Sequence, residues 1–277
     1  MKNMDELSLS TSVFGAEYGP GKRLPDYIEL AQKAGFSMIE LSRRQHAGTL
    51  DSLEGIRKSG IKVWSVHGIM NGHCVSSDEA LRRKAVEAAY RRAAECAEFA
   101  PCPLVEHYMF RYNDPAYGVS FRKSIEELYE KVSPLGFILC IETAPYKPKE
   151  NERYPESAEI AAFVRSFDLD YLQMTVDINH SNIHENLLDV AANTRGLVKN
   201  IHVSNNRGAW EDHLPPDHPE GVIDIRQTFE ALRANGYTGP CNLEFKFPAF
   251  PETPSVEDLC TVRIHVEQRL WNKKDLK

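Results

Sequence analysis

The chain has 277 residues and a formal net charge of −7, with 33 Lys and Arg against 40 Asp and Glu. Apolar types make up 42 % and aromatic types 9 %, an ordinary globular composition that excludes collagen, coiled coil and intrinsic disorder. The net acidity argues against a nonspecific nucleic-acid binder, and no run reaches the roughly 18 apolar residues that span a membrane.

Met1 to Ser10 has no apolar core of the kind a signal peptide needs, so a cytoplasmic protein is expected. The six cysteines form no C-x-x-C pair and sit in apolar contexts, which reads as reduced core thiols.

Short β-branched runs alternate with amphipathic stretches along the chain. The runs are Leu7–Val13, Ser37–Leu41, Lys62–His67, Leu104–Tyr108, Phe137–Glu142, Leu172–Asp177, Lys199–Val203 and Asn242–Phe245. Helical spacing predicts helices over Leu24–Ala34, Leu50–Lys58, Asp78–Phe99, Ser120–Val132, Glu156–Ser166, Ile183–Ala192, Ile225–Ala234 and Val256–Trp271. Ser76 and Glu79 have capping-box spacing at the head of the third helix. Gly35, Gly60, Gly136 and Gly236 follow helices, as left-handed C-terminal caps do. Eight βα repeats predict a single α/β domain, a (β/α)8 TIM barrel over residues 1–277. The alternative, a doubly wound open sheet, would carry a glycine fingerprint after its first strand, and Phe14 to Gly19 matches it poorly.

Polar residues collect at the C-terminal ends of the strands: Glu40, His67, Glu106 with His107, Glu142, Asp177 with His180, His202 and Glu244. A lone His or Glu at a strand end is ordinarily a satisfied core or solvated residue. Repetition around a barrel is different, because buried ionisable groups are costly unless paired or metal-bound. Glu142, Asp177, His202 and Glu244 come from four successive strands whose tips converge on the axis. Three carboxylates at one point repel each other unless a divalent cation lies between them. Oxygen ligands with one imidazole suit Mn²⁺, Co²⁺, Mg²⁺ or Zn²⁺, with no thiolate to force the choice, and one such divalent ion, Mn²⁺ first among them, is expected.

The segments VDINH (Val176–His180), IHVSNNRG (Ile201–Gly208), DHLPPDHPEGVID (Asp212–Asp224) and CIETAP (Cys140–Pro145) resemble the xylose-isomerase-like TIM barrels. That group contains sugar epimerases, keto-inositol dehydratases and endonuclease IV. The resemblance implies a metal held by Glu142, Asp177, His202 and Glu244, with Glu142 and Glu244 as an acid/base pair and a carbohydrate as substrate. It implies isomerisation or epimerisation of a sugar, keto-sugar or sugar phosphate through a metal-stabilised enediolate. His180 and Arg207 would hold substrate hydroxyls, and His213 is a further substrate-binding candidate. His67 and His107 would be pocket residues or further metal ligands. A dehydratase or lyase would use the same enediolate. Barrels of this group often dimerise or tetramerise, so the oligomeric state stays open.

Two departures bear on the substrate. The tagatose and psicose epimerases carry a Glu where this chain has Pro148, and their Arg stands one residue later than Arg207. Lys147 and Lys149 share that loop and could meet a phosphate or carboxylate. The endonuclease IV branch uses strand-end histidines for three zinc ions, and His67, His107, His180 and His213 offer such a set, with Glu211 two residues before His213. Against a DNA substrate stand the acidic seventh loop (Glu211, Asp212, Asp217, Glu220) and only Arg43 and Arg44 before the third strand.

Overall fold

In a computed structural model, residues 6–14, 24–42, 50–109, 115–143, 155–247 and 254–271 are described. Lys147, Lys149, Pro148, Arg43 and Arg44 lie outside them. Eight strands form one parallel sheet: β1 (Leu7–Ser10), β2 (Met38–Leu41), β3 (Lys62–His67), β4 (Pro103–His107), β5 (Ile138–Glu142), β6 (Leu172–Asp177), β7 (Val198–His202) and β8 (Cys241–Leu243). Each pairs with its sequence neighbour from β1 to β7, and β8 pairs with β1. The remaining seam is closed beyond β7 by a parallel bridge between Val203 and Leu243, where the Val203 amide donates to the Asn242 carbonyl at 2.8 Å. The chain is thus a (β/α)8 barrel.

The helices are α1 (Leu24–Lys33), α2 (Leu50–Ser59), α3 (Glu79–Glu95), α4 (Pro115–Val132), α5 (Ser157–Arg165), α6 (Ile178–Asn182), α7 (Leu187–Asn193), α8 (Ile225–Ala234) and α9 (Val256–Trp271). Three local expectations are corrected. The first strand stops at Ser10 instead of running to Val13, because Thr11–Phe14 turns into a 3₁₀ coil pinned by the Ser42 amide donating to Thr11 Oγ1 at 2.9 Å. The cap of α3 is Asp78, whose carboxylate accepts from the Ala80 and Leu81 amides at 2.8 and 3.3 Å, while Ser76 supports Asp78 itself. The helix expected over Ile183–Ala192 starts only at Leu187, because Asn186 caps α7, and a short α6 capped by Asp177 precedes it.

Period-two alternation decides what fills the barrel. Outward residues such as Leu104, Leu139 and Met174 join the apolar layer under the helices. Inward positions carry short polar side chains two residues ahead of the strand-end groups: Ser65 before His67, Thr175 before Asp177, Asn200 before His202 and Asn242 before Glu244. All four are 0 % exposed. Branched aliphatic residues usually fill this layer, so the interior here is hydrogen-bonded instead of greasy. The thiols of Cys74, Cys102, Cys140 and Cys241 are free and buried, and burial pushes those of Cys74, Cys140 and Cys241 up to about 12.

Candidate metal centre

The strand-end residues open into a cavity of about 690 Å³ including its mouth, on the C-terminal side of the barrel. His67, His107, Glu142, His180, His213 and Glu244 line it. The functional end of a barrel is this one because the βα loops, free of fold-defining work, converge there.

His202 is the hub. Its Nδ1 stands 2.8 Å from Glu142 Oε1 and 2.9 Å from Glu244 Oε2, and its Nε2 stands 2.9 Å from Glu40 Oε2. Burial opposes charging this imidazole, yet Glu244, Glu40 and Glu142 together hold its pKa well above the ordinary value. Burial would likewise raise Glu142, but His202 and His107 prevail and hold it well below the usual carboxylate range. Asp177 goes the other way: burial and then the neighbouring Glu142 push it well above its ordinary value.

Glu142 divides its two oxygens. Oε1 faces His202, while Oε2 stands 3.1 Å from His107 Nε2 and 3.4 Å from His67 Nε2. Asp177 does the same, spending Oδ1 on the Asn179 and His180 amides at 2.7 and 3.1 Å and turning Oδ2 towards His180 Nε2 at 3.3 Å. That cap explains the three-residue spacing of Asp177 and His180. One turn of α6 swings the imidazole back over the strand end.

Glu142, Asp177, His202 and Glu244 each offer a ligand atom within 4.8 Å of the others. Two further groups meet the same limit: His67, His107 and Glu142, and Asp177, His180 and His213. The residues fit a divalent cation. Asp177 Oδ2 is buried and accepts no hydrogen bond among the described residues, and Glu142 Oε2 faces the imidazoles of His107 and His67, a costly arrangement for buried carboxylate oxygens unless positive charge meets them. The donor set is hard oxygen and borderline nitrogen, with no thiolate.

Nine residues were predicted for the site, and eight are brought together. Arg207 is the exception. It is 47 % exposed, does not line the cavity, and is held by Asp212 at 3.0 Å and Glu220 at 2.6 Å. Its guanidinium ties together the two arms of the β7–α8 loop. Sequence reasoning passed over Ser65, Asn200 and Asn242, whose only signal is a polar residue where a barrel strand calls for an aliphatic one. It also passed over Thr143, whose carbonyl stands 2.9 Å from His180 Nδ1. His213 sits at a φ of +50°, in the left-handed region that costs a side-chain-bearing residue energy and gathers at functional sites.

A family model described as xylose isomerase-like TIM barrel matches residues 28–261, and the chain belongs to that family. It is 23 % identical over 252 residues to L-ribulose-5-phosphate 3-epimerase UlaE of Escherichia coli, covering 83 % of this chain and 84 % of the relative. It is 28 % identical over 251 residues to D-psicose 3-epimerase of Agrobacterium fabrum, covering 83 % and 80 %. A solved D-tagatose 3-epimerase-like protein superposes with a TM-score of 0.78 at 16 % identity, over 98 % of this chain and 99 % of that one. These relatives are named as epimerases, and the chain is an enzyme of their family. Among the described residues, no helix is long and apolar enough to cross a membrane.

Proposed function

We propose that this chain is a divalent-metal-dependent epimerase or isomerase of a sugar, keto-sugar or sugar phosphate. The observation that carries the reading is the approach of Glu142 and Glu244 to one nitrogen of His202, at 2.8 and 2.9 Å, beside Asp177 in a barrel-end cavity. The named activities of the epimerase relatives support it.

Glu142, Asp177, His202 and Glu244 would hold the ion. A divalent cation there supplies positive charge against the negative oxygen of an enediolate. Glu142 and Glu244 are both held ionised by their imidazole neighbours, the state a proton acceptor starts from. One carboxylate takes the proton from the carbon beside the carbonyl, and the other returns one to the opposite face. His67, His107, His180 and His213 line the cavity and position the substrate's hydroxyls.

Incubation with D-psicose, L-ribulose or their phosphates in D₂O tests this by NMR. Deuterium should enter at the carbon next to the carbonyl of one of them and be lost in the Glu244→Gln variant. Release of water with a new double bond would mark a dehydratase instead.

The two extra ligand groups favour one second reading, a three-metal phosphodiesterase, because clustered cations activate water and clamp phosphate. Metal content separates the two: one ion per chain supports the epimerase, and three with cleavage of a phosphodiester supports the hydrolase.

A further inference from the structure

Glu40 lies below the predicted ligands, at 0 % exposure inside the barrel. Nothing about packing asks for a carboxylate there. Its Oε1 accepts no hydrogen bond among the described residues, and an uncompensated buried carboxylate oxygen destabilises a fold. Oε2 is crowded instead. Ser65 Oγ donates to it at 2.6 Å, Asn242 Nδ2 at 3.0 Å and Asn200 Nδ2 at 3.4 Å, with His202 Nε2 at 2.9 Å. These donors come from β3, β7 and β8, so one oxygen on β2 gathers strands from across the barrel. Asn200 is held in turn, because Trp64 Nε1 donates to its Oδ1 at 2.8 Å and thereby turns its amide nitrogen towards Glu40.

We infer that Glu40 is the positioning residue of the metal centre: by accepting the Nε2 proton of His202, it fixes the tautomer that presents a bare Nδ1 beside Glu142 and Glu244. The inference rests on the reading that these residues hold a metal. Its physical basis is the two-ended chemistry of imidazole. The charged ring carries a proton on each nitrogen, a cation displaces only one of them, and a strong acceptor at Nε2 retains that proton and leaves Nδ1 to ligate. The geometry is directional, since the nitrogen facing the two candidate ligands is the one that does not face Glu40. The carboxylate also makes the ring a better donor and stops its rotation. The Ser65, Asn242 and Asn200 donors keep Oε2 in place while leaving the Nε2 proton to His202.

The test compares wild type with Glu40→Gln for Mn²⁺ affinity by competition against a chelator, alongside the melting temperature of the chelated proteins. Carboxylates in this role change metal affinity by roughly 10- to 100-fold, so the variant should bind Mn²⁺ that much more weakly with its metal-free melting little changed. Equal affinity in both proteins, or a drop in metal-free melting with affinity retained, overturns the inference and leaves the metal reading standing. Failure of wild type itself to bind Mn²⁺ overturns the metal reading, and this inference with it. Should Glu40→Gln not fold, ¹⁵N-histidine NMR of the Zn²⁺-loaded wild type decides. A protonated Nε2 and metal-bound Nδ1 on His202 are expected, and the reverse tautomer overturns the inference.

Discussion

The Nε2 atoms of His180 and His213 face each other at 3.3 Å. Two imidazoliums cannot sit so close, and burial drives both rings towards neutrality, His180 to about 3. The proton order then follows from the neighbours. His180 Nδ1–H donates to the Thr143 carbonyl at 2.9 Å, so the neutral ring leaves its Nε2 bare towards His213. His213 Nδ1 stands 3.3 Å from Ser204 Oγ and 3.5 Å from the Glu244 carbonyl, and Asn179 Nδ2 donates to Ser204 Oγ.

That pair sets a pH dependence. A His whose folded pKa is depressed loses stability as pH falls below its unfolded value of roughly 6.5, at up to about 1.4 kcal/mol per pH unit. His202 and His67 have raised values and act oppositely, their contribution being present at low pH and lost as pH rises through the folded pKa. Denaturant titrations of chelated wild type and His180→Gln isolate the first effect. Between pH 7 and 5, wild type should lose about 1–2 kcal/mol relative to the variant, and a constant difference would refute the assignment.

Replacing Glu244 by Gln keeps the shape of the side chain and removes its basicity. General acid–base groups contribute roughly 10²- to 10⁴-fold, so kcat should fall within that range with an unchanged circular dichroism spectrum. Full activity would exclude Glu244 from the proton transfer.

Metal removal should abolish turnover and lower the melting temperature, because an ion bound by the folded state stabilises it. At a free Mn²⁺ concentration of about 100 times Kd the gain is roughly 2.7 kcal/mol. Calorimetry with and without chelator reads it, and identical melting in both would count against any folded-state metal.

Arg207→Ala and His213→Ala should behave differently. Exposed ion pairs like those of Arg207 are screened by solvent and contribute little, and the guanidinium does not line the cavity, so KM should stay within about twofold. His213→Ala should raise KM well beyond that. A large KM increase from Arg207→Ala alone would place substrate against the β7–α8 loop.

A methyl group at Gly68 should disturb the site from behind. A Cβ there would lie 1.9 Å from Glu106 Oε1, and the same carboxylate accepts the Met70 amide at 3.1 Å. Overpacking of this kind costs about 1–3 kcal/mol, so Gly68→Ala should lower thermal stability by that amount and shift His67. An unchanged melting temperature would mean that Glu106 yields freely.

The barrel and the convergence of its strand-end carboxylates and imidazoles are readable in sequence because both rest on local periodicity. Glu142, Asp177 and His202 each end a hydrophobic strand, and β topology does the rest. What escapes reading depends on contacts between distant residues. Glu40 stands at a strand end like the others, but its partner His202 is 162 positions away. Arg207 is held by Glu220, 13 residues on, a pairing that the residue types alone do not announce. The left-handed backbone of His213 and the break between α6 and α7 follow from loop and cap geometry that residue type alone does not dictate.

The buried thiols have a practical consequence. Cys140 lies on β5 two residues below Glu142, and Cys241 opens β8 three residues below Glu244. Neither can meet an alkylating reagent while the barrel is shut, and thiols held so far above neutral pH are poor nucleophiles even when grazed. Their labelling rates therefore time the parting of individual staves, reporting how often each side of the reaction chamber comes open.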